Sequence, residues 1–208
     1  NSAGSLEEIV LPNSIETIDW QAFFNCNSLK ELYIGKNVRR LAPNDGLQWN
    51  ITTSQSVNGL FSLERYIVDD DNEFFASKDG CLYSKNFDTL FAIPGMAKGN
   101  FEIPLTVTSL GSGFAKNCHE LKEIILPSGV IVIPDNSFEN TQNLESITLN
   151  APHIHFGRSL FACSNIKHVV LNENVKDISV EYEPIADELP ADRILTFIVK
   201  SEAAFDFN

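Results

Sequence analysis

The chain has 208 residues, of which 43% are hydrophobic and 21% charged, and its 28 acidic and 15 basic side chains give a formal net charge of −13. This composition excludes a disordered chain, and the sequence contains no apolar run of the roughly 18 residues that a membrane-spanning helix requires. A strong negative charge repels phosphate groups, so we expect neither a nucleic-acid partner nor direct insertion of these residues into a membrane.

The most informative feature of the sequence is an internal repeat, in which a short apolar pattern returns along the whole chain. The pattern has the form Leu-x-x-Ile-x-Leu, as in residues 6–11, 121–126 and 144–149. Successive copies begin 22 or 23 residues apart, except where insertions lengthen the interval. Because one such unit cannot bury its apolar face alone, the units must stack as coils of a solenoid. The eight starts are residues 6, 29, 63, 98, 121, 144, 166 and 194.

The second half of each repeat has a pattern of its own. An apolar pair three residues apart, such as Val107 and Leu110, precedes a short stretch that carries Phe and often Cys, such as 114–118. In spacing, proline and cysteine, the repeats resemble the BspA-type leucine-rich repeat family, whose repeat is close to LxxIxLPxxVxxIxxxAFxxC. Residues 71–85, with the hairpin-turn signal Asp-Gly at 79–80, are similar to an insert of the same family.

These features predict a single leucine-rich repeat domain over residues 1–208, a β-rich solenoid of about eight 22–23-residue coils. We expect a parallel β-sheet on one face and short helical turns opposite to it. A β-hairpin insert is expected at 69–97, and the resemblance implies a closing repeat with a final short helix at 194–208. Insertions at 42–59 and 179–193 interrupt the pattern.

The four cysteines are predicted to be buried and unpaired. Cys26, Cys118 and Cys163 share one slot of the repeat, which Thr141 fills in the coil between the last two. Strands of a sheet lie about 4.8 Å apart, so two coils separate Cys118 from Cys163 by roughly 9–10 Å, beyond the ~7 Å Cα limit of a disulfide. Cys81 takes the place of an apolar residue in the hairpin.

A search for catalytic and metal-binding patterns is largely negative. His153 occupies an apolar slot of the repeat and His155 follows two residues later, but no third ligand is evident, so we expect one partly buried and one solvated imidazole. The acidic run 69–71 lacks the Gly and the bidentate Glu of a calcium loop. Without a nucleophile–base pair, we expect no enzyme activity, no cofactor and no metal.

Outward-facing residues of the LxxIxL strands form two rows, because alternate side chains of a strand point to opposite faces. One row is mostly apolar, which is typical of an interface on a soluble protein, although strand propensity alone also favours such residues. The second row is polar and would supply specificity. The apolar row comprises Val10, Tyr33, Ile67, Glu102, Ile125, Thr148, Val170 and Ile198, and the polar row comprises Glu8, Glu31, Arg65, Asn100, Glu123, Ser146, His168 and Thr196.

The family resemblance implies an extracellular or cell-surface bacterial protein that adheres to host proteins or to other cells, with its signal and anchor outside these residues. We therefore predict a non-enzymatic module that binds a protein partner through its sheet face. The alternatives are a structural spacer and a glycan-binding module, for which Trp49 is the most exposed aromatic expected. The predicted binding residues are Tyr33, Ile67, Ile125, Val170, Ile198, Glu31, Arg65, Glu123, His168 and Trp49.

Overall fold

The structure, a computed structural model, describes residues 5–19, 22–23, 26–41, 60–161, 164–180 and 196–199. Within these ranges the chain forms short β-strands and no α-helix. The strands are β1 (Glu8–Val10), β2 (Thr17–Ile18), β3 (Glu31–Ile34), β4 (Arg40–Leu41), β5 (Arg65–Val68), β6 (Phe75–Lys78), β7 (Cys81–Ser84), β8 (Thr89–Ala92), β9 (Lys98–Glu102), β10 (Ser109–Leu110), β11 (Glu120–Ile125), β12 (Val132–Ile133), β13 (Ser146–Leu149), β14 (His153–Phe156), β15 (His168–Leu171), β16 (Asp177–Val180) and β17 (Thr196–Val199).

The LxxIxL segments form one face of the solenoid, here called the first face. It consists of two parallel sheets, one in the order β1-β3-β5 and the other in the order β9-β11-β13-β15-β17. The strand register confirms the predicted rows: Val10 pairs with Tyr33, Tyr33 with Ile67, and Ile125 with Thr148. The repeat period therefore sets the alignment of successive coils, as expected for a stacked solenoid.

The predicted hairpin insert is present and separates the two sheets of the first face. Strand β7 pairs antiparallel with β6 on one side and with β8 on the other, and β8 also pairs with β10 in parallel. The turn between β6 and β7 uses Asp79 and Gly80, whose φ angles of 51° and 77° are those of the tight turns that Asp-Gly favours.

Asn72 fastens this insert to the coil below. Its side chain is fully buried, and its Nδ2 donates hydrogen bonds of 2.9 Å to the carbonyl oxygens of both Gly35 and Val38. Its Oδ1 accepts bonds of 2.8 Å from the backbone N–H groups of Phe74 and Phe75. Because a buried amide is stable only when its donors and acceptors are satisfied, Asn72 holds the start of the hairpin in one position.

Short strands form a second face, which carries the apolar pairs of each repeat. Here β2 pairs with β4, β10 with β8, and β12, β14 and β16 form a separate sheet. The N–H of Gly111 donates to Leu90 O at 2.9 Å, and that of Gly157 donates to Ile133 O at 2.8 Å. The equivalent residue in the coil between them is Pro134, which has no N–H. This missing donor explains why β12 does not join β10 in one sheet.

The predicted short helical turns are wrong for the described residues. The Phe-bearing stretches are chains of turns, stacked by backbone bonds such as those from Ala115 N to Ser137 O (3.3 Å) and from Phe138 N to Leu160 O (3.2 Å). These stretches span too few residues for helix nucleation, and bonds between coils satisfy their backbone groups instead. Their aromatic rings pack against one another in the core: the Phe138 centroid lies 5.7 Å from that of Phe114 in an edge-to-face arrangement and 6.2 Å from that of Phe161 in a stacked one.

The described residues contain six complete coils, fewer than the predicted eight. In six coils a first-face strand is followed directly by a second-face strand, namely β1–β2, β3–β4, β9–β10, β11–β12, β13–β14 and β15–β16. The coil that begins at residue 63 is interrupted by the hairpin, and only 196–199 are described in the last coil. An insertion therefore changes a coil that sequence spacing alone counts as complete.

We predict that Asn72→Ala lowers the free energy of unfolding by about 3 kcal/mol, since it leaves the N–H groups of Phe74 and Phe75 and two buried carbonyl oxygens without a side-chain partner. The measurement is urea denaturation followed by circular dichroism. The matched control is Asn86→Ala, at an exposed position in the same insert, for which we expect a change within about 0.5 kcal/mol. Equal effects of the two substitutions would contradict this role of Asn72.

Candidate binding surface

The apolar row of the first face is less exposed than the sequence suggested. Val10 and Ile198 are 58% and 39% exposed, but Thr148 and Val170 are only 6% and 9% exposed. The expectation that every member faces water is thus wrong for Thr148 and Val170. Both lie on inner strands of a five-stranded sheet, where a side chain of the same row on each adjacent strand flanks them, whereas β1 and β17 are end strands.

Tyr33, Ile67 and Ile125 are half-buried on this outer side. Tyr33 and Ile67 are direct cross-strand partners in the smaller sheet, while Ile125 belongs to the larger one. The hairpin insert lies between these sheets in sequence, and they share no strand pairing in the described residues. The first face therefore offers two separate apolar patches rather than one continuous stripe.

The polar row lies beside these patches and is partly paired within itself. The Arg65 guanidinium forms an ion pair with Glu31 on the adjacent strand. In the larger sheet, the Glu123 carboxylate accepts hydrogen bonds from Asn100 Nδ2 (3.0 Å) and Thr148 Oγ1 (3.2 Å). His168 is half-buried, and its Nδ1 is buried without a hydrogen-bond partner among the described residues. Trp49, the remaining predicted binding residue, lies outside the described residues.

Tyr33 is held in place by the acidic turn that precedes the hairpin. Its hydroxyl donates to Asp69 Oδ2 at 2.9 Å, and Asp69 Oδ1 accepts the backbone N–H of Asp71, also at 2.9 Å. The Asp71 N–H and then the Tyr33 hydroxyl lower the pKa of Asp69, while the bond to that carboxylate raises the pKa of Tyr33. The Asp69 carboxylate thus orders its own turn and the Tyr33 side chain.

The two histidines of the His-x-His segment both lie on the outer side of the second face. His153 is exposed, and its Nδ1 lies 2.7 Å from Asp177 Oδ2. His155 is half-buried, with its Nδ1 3.0 Å from Ser179 Oγ. As expected, one imidazole is partly buried and the other is solvated. The solvated imidazole is that of His153, which the sequence places at an apolar position of the repeat. Strand alternation explains this, because β14 buries Ile154 instead. Across the described ranges, no group of three or more metal-ligating side chains is found.

Burial is confirmed for three of the cysteines. Cys26, Cys81 and Cys118 are buried and free, whereas Cys163 lies outside the described residues. Burial raises the pKa of the Cys81 thiol to about 12 and also raises that of Cys118, whose thiol lies 3.6 Å from Ile93 O. Thr141 fills the same slot, fully buried, and donates to Phe138 O at 2.7 Å. These side chains are parts of the core.

A family model for the BspA type leucine rich repeat region matches the sequence in six copies, over residues 1–46 and 96–182, which together make up more than half of the chain. The chain belongs to the BspA-type leucine-rich repeat family. The six copies agree with the six coils that have both faces. Leucine-rich repeat regions of this kind generally serve as non-enzymatic modules for protein–protein interaction. No curated protein matches this BspA-type chain in sequence.

Solved structures share the fold. A leucine-rich repeat protein from Eubacterium ventriosum is 22% identical, with a TM-score of 0.64, over 81% of this chain and 44% of that one. The pneumococcal vaccine antigen PcpA is 21% identical, with a TM-score of 0.60, over 95% and 63%. A leucine rich cell surface protein from Faecalibacterium prausnitzii is 14% identical, with a TM-score of 0.52, over 86% and 60%.

This BspA-type chain spans less than two thirds of the length of each of these structures. At identities below 25%, the likeness establishes the fold of the repeat and nothing about its ligands. Among the described residues, no helix has the length and apolar character needed to cross a membrane.

We predict that the difference in melting temperature between the wild type and Asp69→Ala is larger at pH 7 than at pH 3. The pKa of Asp69 is lower in the folded state than in the unfolded state, so its contribution to stability is complete above the unfolded pKa and is lost as pH falls through the folded pKa. Thermal denaturation at both pH values is the measurement, with Asp70→Ala as control in the same turn. A difference independent of pH would contradict the assignment.

We also predict that the native thiols resist labelling. In a Cys163→Ser background, Ellman's reagent at pH 8 should modify Cys26, Cys81 and Cys118 only after guanidinium unfolds the chain, because burial removes access to all three thiols and raises the pKa of Cys81 and Cys118. Stopped-flow absorbance with and without guanidinium gives the count of reactive thiols. Rapid labelling of the native protein would show that these positions open to solvent.

Proposed function

We propose that this chain is a non-enzymatic, extracellular module of a bacterial surface protein that binds a protein partner through its first face and serves in adhesion or host interaction. The observation that supports this most directly is the register of the two rows, which places polar and apolar side chains side by side on rigid strands. A surface held by backbone bonds on both sides loses little conformational entropy on binding.

The patch around Tyr33 has the composition of a binding hot spot. Tyr33 and Ile67 pair across β3 and β5, and Glu31 and Arg65 pair in the polar row two residues earlier on the same strands. Tyrosine and arginine are enriched among residues that dominate binding energy, and an ordered tyrosine offers a large contact area at low entropic cost. The Asp69 bond supplies that order for Tyr33.

The second patch lies on the larger sheet, with Ile125, Val170 and Ile198 in the apolar row and Glu123 and His168 in the polar row. Ile125 and Ile198 supply most of its exposed apolar contact, since Val170 is largely covered. The unpartnered Nδ1 of His168 is a group that a partner could satisfy after a small side-chain rotation.

The descriptions of two structurally similar proteins support a location at the cell surface. One solved relative in fold is described as a cell surface protein and another as a vaccine antigen. The alternatives remain a structural spacer, which would bind nothing through this face, and a glycan-binding module that uses exposed aromatics such as Trp49.

To test the proposed surface, Ile67→Asp and Ile125→Asp are introduced singly and together, and binding to immobilised extracellular-matrix proteins and mucin is measured by biolayer interferometry. We expect the wild type to bind at least one of these proteins and the double variant to bind it at least about tenfold more weakly, because a carboxylate at the centre of an apolar contact is desolvated without a partner.

The matched control is Leu105→Asp, which places the same charge at a highly exposed apolar residue outside the first face. Circular dichroism should be the same for all variants. Unchanged affinity of the double variant would contradict the proposed surface, and failure of the wild type to bind any of these proteins would favour the spacer.

A further inference from the structure

The second face contains an open groove of about 820 Å³ where β10, β12 and β14 come together. It lies over the junction at which β12 fails to pair with β10, and Pro134 is one of its lining residues. Ile131 and Val132, on the β12 side, are 52% and 45% exposed. The groove is thus a local opening of the second face, away from the LxxIxL strands that carry the proposed protein-binding residues.

One residue, Pro134, accounts for this opening. In the coils on either side, Gly111 and Gly157 donate the backbone bond that joins successive second-face strands. Pro134 cannot donate, so strand pairing of the kind that joins β8 to β10 and β12 to β14 is absent between β10 and β12. Further along the chain the coils meet again, where Gly113 N donates to Asp135 O at 2.9 Å. A backbone bond therefore joins the two coils next to the groove.

The groove combines hydroxyl groups with aliphatic surface. Thr108, Ser109 and Ser112 line it from the β10 side, and Asp135 and His155 supply a carboxylate and an imidazole. Asp135 is positioned by the backbone N–H of Arg158, which donates to its Oδ1 at 2.8 Å. None of the lining residues is a lysine or an arginine, so the groove has no cationic side chain for an acidic ligand.

We propose that this groove binds a neutral oligosaccharide. Sugar hydroxyls both donate and accept hydrogen bonds, as do the Ser and Thr hydroxyls on one side of the groove, and carboxylate and imidazole groups add strong polar contacts. The exposed Ile131 and Val132 side chains present an apolar surface to the C–H groups of a sugar ring. The volume is within the range of small-ligand sites in proteins.

An extended peptide fits the groove less well. Strand addition requires an unpaired edge with room for a further strand about 4.8 Å from it. The unpaired edges of β10 and β12 face each other, but Cα atoms of the two strands lie within 8 Å and the Gly113–Asp135 bond holds the two coils together, so no strand fits between them. The saccharide site is separate from the first face and does not depend on the proposed protein partner.

The test begins with a printed array of neutral, sialylated and sulfated oligosaccharides, followed by titration of the best neutral binder by isothermal calorimetry at up to about 5 mM. We expect the wild type to bind neutral members, and Ser109→Ala/Ser112→Ala to raise Kd about tenfold through the loss of two hydroxyl contacts. Pro134→Gly should also weaken binding, because it restores the N–H through which β12 can pair with β10 and so narrow the groove.

The matched control is Thr106→Ala, an exposed hydroxyl close in sequence but outside the groove, which should leave Kd unchanged. Glycine is tolerated at the position of Pro134, since Gly111 and Gly157 occupy it in neighbouring coils, so this variant should fold. The proposal is overturned if no neutral sugar binds, if only acidic sugars bind, if the serine variant binds like the wild type, or if a peptide array yields a ligand that occupies the groove instead.

Discussion

The backbone hydrogen bond between one coil and the next is the interaction on which the rest of this molecule depends. Such bonds join positions one repeat apart, for example Leu126 N to Thr148 O at 2.9 Å and Gly157 N to Ile133 O at 2.8 Å. They fix the register that brings equivalent Leu, Ile and Phe side chains into one continuous core, and the same register aligns the outward rows. Neither core nor surface rows exist in a single coil, so stability and binding surface arise together from stacking.

Two interruptions of this bonding create the features that distinguish the chain from a uniform solenoid. The hairpin insert divides the first face into two sheets, and the buried Asn72 amide ties the insert back to the coil below. On the second face, Pro134 removes one donor and opens a groove between β10 and β12. Both interruptions are local, because backbone bonds between the same coils remain at other positions of the repeat. The coils therefore stay stacked, and only the surface at each interruption differs.

Much of the fold can be predicted from the sequence, because residues one repeat apart occupy equivalent positions in successive coils. The period of 22–23 residues predicted both surface rows, and Asp-Gly predicted the hairpin turn at 79–80. The burial of Val170 and Thr148 was not predictable, since it depends on how neighbouring strands cover a side chain in three dimensions. The turns were mistaken for helices because bonds between coils are not visible in local sequence. The sequence shows that Pro134 lacks an N–H donor, but the effect of that loss on strand pairing can be seen only when the neighbouring strands are known.

Hydrogen–deuterium exchange of single backbone amides tests this account most directly. The N–H of His155 donates to Ile131 O at 2.8 Å, and strand alternation points the N–H of Val132 to the opposite side, where no sheet pairing with β10 exists. The account predicts slow exchange at His155 and Gly157 and fast exchange at Val132 in the same folded protein, measured by NMR. Equal protection of Val132 and His155 would show that the second face is continuous across Pro134, in contradiction to the interruption on which the groove rests.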